Sequence, residues 1–228
     1  MTTVTFQRFF FFLLTLIILS ACQSTYKISN KKFAETPRTW SKGAIITAAN
    51  PHAVEAAIAI LKKGGSAVDA AIAAHSVLGL VEPQSSGLGG GGFMLTYDYK
   101  SEEMSFIDGR EVAPAKATVD MFMNGDTVMP FMEAWQSGKA VGVPGIVALY
   151  TTAHDKYGKL PWPSLFEYAI KLANEGFIVS PRLANFVDAA QYRGRLSINK
   201  DSKDYFFPNG VPIRKGDLLK NPQYGATL

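Results

Sequence analysis

Ser85–Tyr99 reads SSGLGGGGFMLTYDY, and the reason for its glycines decides the fold. Gly87, Gly89 and Gly92 hold the G-x-G-x-x-G spacing of a dinucleotide-binding turn, and Asp108 stands about 20 residues on, where a ribose-binding acid falls. Such a turn runs strand, glycines, helix, because the pyrophosphate rests on the helix N-terminus. Upstream, SAVDAAIAAHSVLGL (Ser66–Leu80) is alanine-rich and apolar on most faces, which predicts a buried helix that ends before Pro83. Downstream, FMLTYDY and MSFIDGREVAP carry β-favouring residues either side of the turn KSEE and predict a hairpin. The order is therefore helix, glycines, strand, the reverse of the dinucleotide fingerprint. No Lys-Ser or Lys-Thr pair directly follows the last glycine, which also excludes a phosphate-binding P-loop, and no cofactor is expected. Consecutive glycines admit a close approach of another chain segment, either as a tight structural crossing or as the near wall of a substrate pocket.

Further out, GAIITAAN (Gly43–Asn50) reads as a short strand. Asn50 and Pro51 supply a cap and a first helical position, and AVEAAIAILKK stops at Gly64-Gly65. Later helices are expected from about Gly145, over WPSLFEYAIKLANEG with Gly176 as its stop, and from Ser180-Pro181. SINKDSKDYFFPNGVPIRKG (Ser197–Gly216) reads as loop. Asn221-Pro222 begins one more helix only six residues before Leu228, which leads to the expectation that the sequence stops inside a larger protein.

The 228 residues are 47% hydrophobic and 18% charged, enough for a sizeable core. The formal charge of +4 is scattered along the chain, without the basic stripe or motif of a nucleic-acid binder. Arg8 precedes the apolar run Phe9–Leu19, too short for the roughly 20 residues of a spanning helix and suited to an export signal. Leu19-Ser20-Ala21-Cys22 then resembles the lipobox of bacterial lipoproteins, with Cys22, the single cysteine, as the lipidated mature N-terminus. Gln23 is not the Asp that holds enteric-type lipoproteins at the inner membrane, so an exported, membrane-anchored, periplasm-facing protein of the outer membrane is expected. The expected division is a signal peptide over 1–21, lipidated Cys22 and a polar tether over 22–42, and a domain over 43–228.

Five stretches follow one another in that domain: GGSAVDAAIA (Gly64–Ala73), EPQSSGLGGGGFML (Glu82–Leu95), DGREVAPAKAT (Asp108–Thr118), AVGVPG (Ala140–Gly145) and KYGKLPW (Lys156–Trp162). In that order and spacing they resemble the large-subunit portion of γ-glutamyltransferases, also called γ-glutamyl transpeptidases or glutathione hydrolases. The resemblance runs from about Gly43 through GDLLKNPQ (Gly216–Gln223). It implies an α+β fold of the N-terminal-nucleophile hydrolase type, an αββα sandwich of which this chain holds the N-terminal part only.

The same resemblance implies site roles. Arg110 occupies the place of the arginine that binds the α-carboxylate of the γ-glutamyl donor, where a guanidinium fork would pair both oxygens; without the resemblance, it reads as a strand-end partner of Asp108 or Glu111. Glu111 is expected to orient Arg110. Implied partners are γ-glutamyl small molecules such as glutathione, the small subunit from the same self-cleaving precursor, and a membrane through the lipid on Cys22. The family nucleophile is the N-terminal threonine of that small subunit, in a Thr-Thr-His-x-Ser motif expected beyond Leu228, so the chain by itself is expected to be inactive. Thr151-Thr152-Ala153-His154 imitates the motif superficially, inside an expected helix. His52-Ala-Val-Glu55 does not complete a zinc motif, His75 reads as a packed core histidine, and Ser85-Ser86 show no base nearby. Two further readings are a related acylase on the same fold and a degenerate lipoprotein that binds γ-glutamyl compounds without catalysis.

Overall fold

Helix caps set the frame of the structure, a computed structural model that describes residues 43–192 and 194–228. The signal, Cys22 and the tether over 22–42 lie outside the described residues. Helix α1 (Pro51–Lys62) starts where the Asn50 side chain accepts from His52 N at 3.1 Å, with Pro51 at the first helical position. It ends at Gly64, whose φ of +88° lies in the left-handed region glycine favours. Helix α2 (Ala67–Val81) opens on a reciprocal capping box: Asp69 N donates to Ser66 Oγ at 3.0 Å, and Ser66 N donates to Asp69 Oδ2 at 2.9 Å. Ala53, Ala56 and Ala57 of α1 are buried, and such small side chains let the two helices pack closely.

The α2 helix is the hub, with Ile72, Val77, Leu80 and Val81 fully buried. Around it pack α1, α4 (Ile146–Tyr157) and α5 (Glu167–Glu175). Strands β1 (Gly92–Asp98) and β2 (Glu103–Gly109) form an antiparallel hairpin in which Gly92 pairs with Gly109 and Leu95 with Phe106. Its inner side, with Met94 and Ile107, packs on the core, and α4 lies beneath it. Its outer side is open: Phe93, Leu95, Tyr97, Met104 and Phe106 are each more than half exposed, and the Phe93 and Phe106 rings stack at 5.6 Å. Two short ladders complete the sheets, β3 (Met123–Asn124) with β4 (Thr127–Val128), and β5 (Phe177–Ile178) with β6 (Leu218–Leu219). Between β4 and α4 lies a short helix α3 (Phe131–Gln136). Helix α6 (Pro181–Tyr192) follows β5, and α8 (Pro222–Thr227) begins with Asn221 Oδ1 accepting from Tyr224 N.

Two expectations are corrected. Ile45–Ala48, inside the stretch read as a strand, has no ladder, because no strand lies beside it among the described residues; Ile46 and Ala48 still turn toward the core while Ile45 and Thr47 face out, the alternation that suggested a strand. Ser197–Gly216, read as loop, contains α7 (Lys200–Phe206), capped by Asn199, whose Oδ1 accepts from Asp201 N and Ser202 N. Burial of Phe206 and Phe207 holds this helix, which is too short to show a helical period.

Candidate functional site

Three segments meet where β1 begins. The carbonyl of Gly90 accepts from Gly145 N at 3.2 Å and Ile146 N at 3.1 Å, so the first turn of α4 is seated on the glycine run. A Cβ at Gly91 would lie 2.6 Å from the carbonyl oxygen of Gly109 and 2.8 Å from Glu111 N. A Cβ at Gly109 would lie 2.5 Å from Leu149 Cβ, and one at Gly145 would overlap the Gly109 carbonyl. Any side chain at these three positions is barred by backbone or by a helix. Gly87 and Gly89 have open space around them, so the G-x-G-x-x-G spacing is incidental and the requirement sits at Gly91. The glycines serve a crossing, and the residue that leaves the crossing is Arg110.

Asp108 turns its carboxylate back to accept from the backbone N of Arg110 at 2.9 Å, which fixes the bend at the end of β2. The Arg110 side chain is exposed, and among the described residues its guanidinium has no hydrogen-bond or ion-pair partner. It lines a cavity of about 370 Å³ together with Glu111, Met121, Phe122, Lys139 and Val141. Glu111 does not pair with Arg110. Its carboxylate lies over Gly90 and Gly91, and Gly142 leaves room for its Cβ. What sets Arg110 is the backbone: Val112 and Val143 form an isolated antiparallel bridge, with Val143 N donating to the Val112 carbonyl at 2.9 Å.

The remaining motifs are scaffold. Asp69, fully buried, accepts from Lys159 N at 2.9 Å and Leu160 N at 3.2 Å, and so clamps GGSAVDAAIA to KYGKLPW. Glu82, also buried, accepts from Asn50 Nδ2 at 3.1 Å and Gln84 Nε2 at 2.6 Å, with Arg182 Nη1 3.4 Å away, and ties α1 to the glycine loop and α6. His154 meets the Leu160 carbonyl, and Thr151 Oγ donates to Ala148 O within α4, so the Thr-Thr-Ala-His run is ordinary helix. His52 pairs with Glu55 on the surface; the Tyr168 hydroxyl, donating to Glu55 at 2.6 Å, holds that carboxyl below its ordinary range.

Ser86 is placed differently from its reading in the sequence. His75 stands beside it, Nε2 2.9 Å from Ser86 Oγ, while His75 Nδ1 hydrogen-bonds the Tyr150 hydroxyl. Burial lowers the His75 pKa and raises that of Tyr150, so this trio is neutral near pH 7 and fastens the glycine loop to α2 and α4. Sequence reasoning also missed Lys139, though it stands immediately before AVGVPG.

Helices packed on one side of a hairpin, with a crossing of glycines that presents to a cavity an arginine without a partner among the described residues, define an α+β protein with a candidate anion site. A family model described as Gamma-glutamyltranspeptidase matches residues 53–228, and the chain belongs to that family. It is 44% identical over 189 residues to the glutathione hydrolase proenzyme of Bacillus subtilis (strain 168), covering 82% of this chain and 32% of that protein. The glutathione hydrolase proenzyme of Escherichia coli (strain K12) is 41% identical, with the same shares. The crystal structure of Helicobacter pylori gamma-glutamyltranspeptidase superposes with a TM-score of 0.77 at 34% identity, over 84% of this chain and 54% of that one. The chain thus spans about a third of the length of the curated relatives it matches. The α+β fold class expected from the five motifs is the one found.

Proposed function

We propose that the protein carrying this chain hydrolyses or transfers γ-glutamyl groups from glutathione-like amides, and that Arg110 clamps the donor's α-carboxylate. The observation that carries this reading is the guanidinium, without a partner among the described residues, held at a backbone crossing beside a cavity. A γ-glutamyl group differs from other acyl groups in the free carboxylate and amine remote from its scissile amide, and a fork held by backbone can pair both carboxylate oxygens and fix the direction of the chain. The 228 residues contain no Thr-Thr-His-x-Ser run, and we assign the nucleophile to a threonine outside them, on a small subunit cut from the same precursor. Its hydroxyl would attack the γ-carbonyl while its own amine takes the proton; the C–N bond then breaks, the amine leaves with a proton, and water or an acceptor amine receives the acyl group.

The test is a donor comparison with full-length precursor. Glutathione is expected to be turned over well, a β-lactam side-chain amide and poly-γ-glutamate poorly, and the 228 residues alone should release nothing from any of them. A preference for the β-lactam amide would replace this reading with the acylase; binding of γ-glutamyl compounds without turnover would replace it with the degenerate binder.

Export and anchoring belong to the same proposal. The apolar run ending at Leu19-Ser20-Ala21-Cys22 supports lipidation of Cys22 and placement at the periplasmic side of the outer membrane. Mass spectrometry of the mature N-terminus should find diacylated Cys22, and Cys22→Ser should release the protein from membranes with its fold unchanged. An unmodified Cys22, or cleavage elsewhere, sinks the claim.

A further inference from the structure

The cavity beside Arg110 holds a second cation. Lys139 lines it from the 3-10 turn Gly138–Ala140, and among the described residues its ammonium has no hydrogen-bond or ion-pair partner. Asp120 is the acid that feels it: a hydrogen bond with Thr118 is the main cause of that carboxyl's lowered pKa, and the Lys139 charge adds to it, yet the two form no ion pair. The segments that carry the two cations are joined by a single bridge. Val112 and Val143 are bridged antiparallel, Arg110 precedes Val112, and Lys139 precedes Val143. Arg110 and Lys139 thus reach the same cavity on two different segments, one leaving β2 and one a 3-10 turn.

This arrangement says what the ligand carries. A guanidinium fork already satisfies both oxygens of one carboxylate, which leaves the lysine on the separate turn for another group. The charge count agrees. Arg110, Lys139 and Glu111 together leave the lining one charge positive. A γ-glutamyl donor with an ammonium and a single carboxylate is neutral and leaves that excess in place. A donor with a second carboxylate, on the leaving-group side, cancels it.

We propose that Lys139 is a specificity-determining residue that binds a second carboxylate of the donor, so that the cavity selects γ-glutamyl compounds with an acidic leaving group. The proposal rests on the assignment of Arg110 to the α-carboxylate. Lys139 touches no reacting bond in this scheme; it sets which donor is held.

The experiment compares glutathione with its glycine amide, donors identical but for the second carboxylate, on full-length precursor. Wild type should prefer the acid by about fivefold in kcat/KM, the scale of one partly exposed charge pair, with the difference in KM. Lys139→Ala should lose that preference, Lys139→Arg should keep it, and Lys171→Ala, an exposed lysine on α5 outside the cavity, should leave it unchanged. Equal use of the two donors by wild type overturns the proposal, and so does a preference that survives Lys139→Ala. Release of glutamate from neither donor overturns the γ-glutamyl assignment instead, so the two failures are distinguishable.

Discussion

In full-length precursor, Arg110→Lys should damage γ-glutamyl turnover nearly as much as Arg110→Ala. Lysine keeps the charge and loses the fork, so the α-carboxylate is held at one point and the scissile carbonyl swings away from its nucleophile. Once bound donor excludes water from the exposed guanidinium, removing the charge-assisted pair costs about 2–4 kcal/mol, roughly a 30- to 1000-fold loss in kcat/KM. Most of the loss should appear in KM, because the carboxylate is bound in the ground state and the transition state alike. Self-cleavage should continue, since that reaction involves no free glutamyl carboxylate. The structure removes one competing explanation beforehand: Arg110 makes no ion pair with Asp108 or Glu111, and Asp108 is occupied by the backbone N of Arg110. A structural arginine would behave differently on replacement, with self-cleavage lost and glutathione use intact, and that outcome would overturn the assignment.

What the sequence displayed was local. Asn50-Pro51, Gly64 and Gly176 marked helix ends because caps and stops are satisfied within a few residues of themselves, and each stands where expected. The hairpin was legible for the same reason. What stayed hidden joins distant segments. Asp69 closes the capping box of its own helix, but the bonds it takes from Lys159 and Leu160 come from 90 residues further on, and Glu82 gathers Asn50, Gln84 and Arg182 from three parts of the chain. The same limit applied at the site. The run Gly89–Gly92 announces a close approach only in general terms; the approaching parties, Gly109 and Gly145, appear once the chain is folded. His75 shows no reason in sequence to meet Ser86, since a helix end and a turn must first fold back to bring them together. Lys139 was legible as a residue beside a motif and not as a second charge in the cavity of Arg110.

Gly145→Ala should therefore be among the most damaging small substitutions in the chain, although it adds one methyl group and touches no ligand. The new Cβ would overlap the Gly109 carbonyl and stand 3.1 Å from the carbonyl oxygen of Arg110. Neither side can yield cheaply: Gly109 is paired with Gly92 in the hairpin, and Gly145 N is bound to the Gly90 carbonyl. Overpacking against backbone costs about 1–3 kcal/mol, and the upper end applies where both partners are fixed. In a precursor of its relatives' length, about three times that of this chain, that corresponds to a fall of roughly 2–3 °C in Tm. The control is Gly89→Ala, at a glycine with open space and no positive φ, where a less flexible unfolded chain should leave stability unchanged or raise it by up to about 1 kcal/mol. The two variants differ from wild type by the same methyl group, so thermal or urea melts of full-length precursor compare them directly. A second readout separates a merely weakened fold from a displaced site. Gly145 abuts the segment that carries Arg110, so Gly145→Ala should also raise KM for glutathione at temperatures where the protein is fully folded, while Gly89→Ala should not. If Gly145→Ala melts with wild type and binds donor normally, the crossing is looser than its geometry implies, and the backbone is not what positions Arg110.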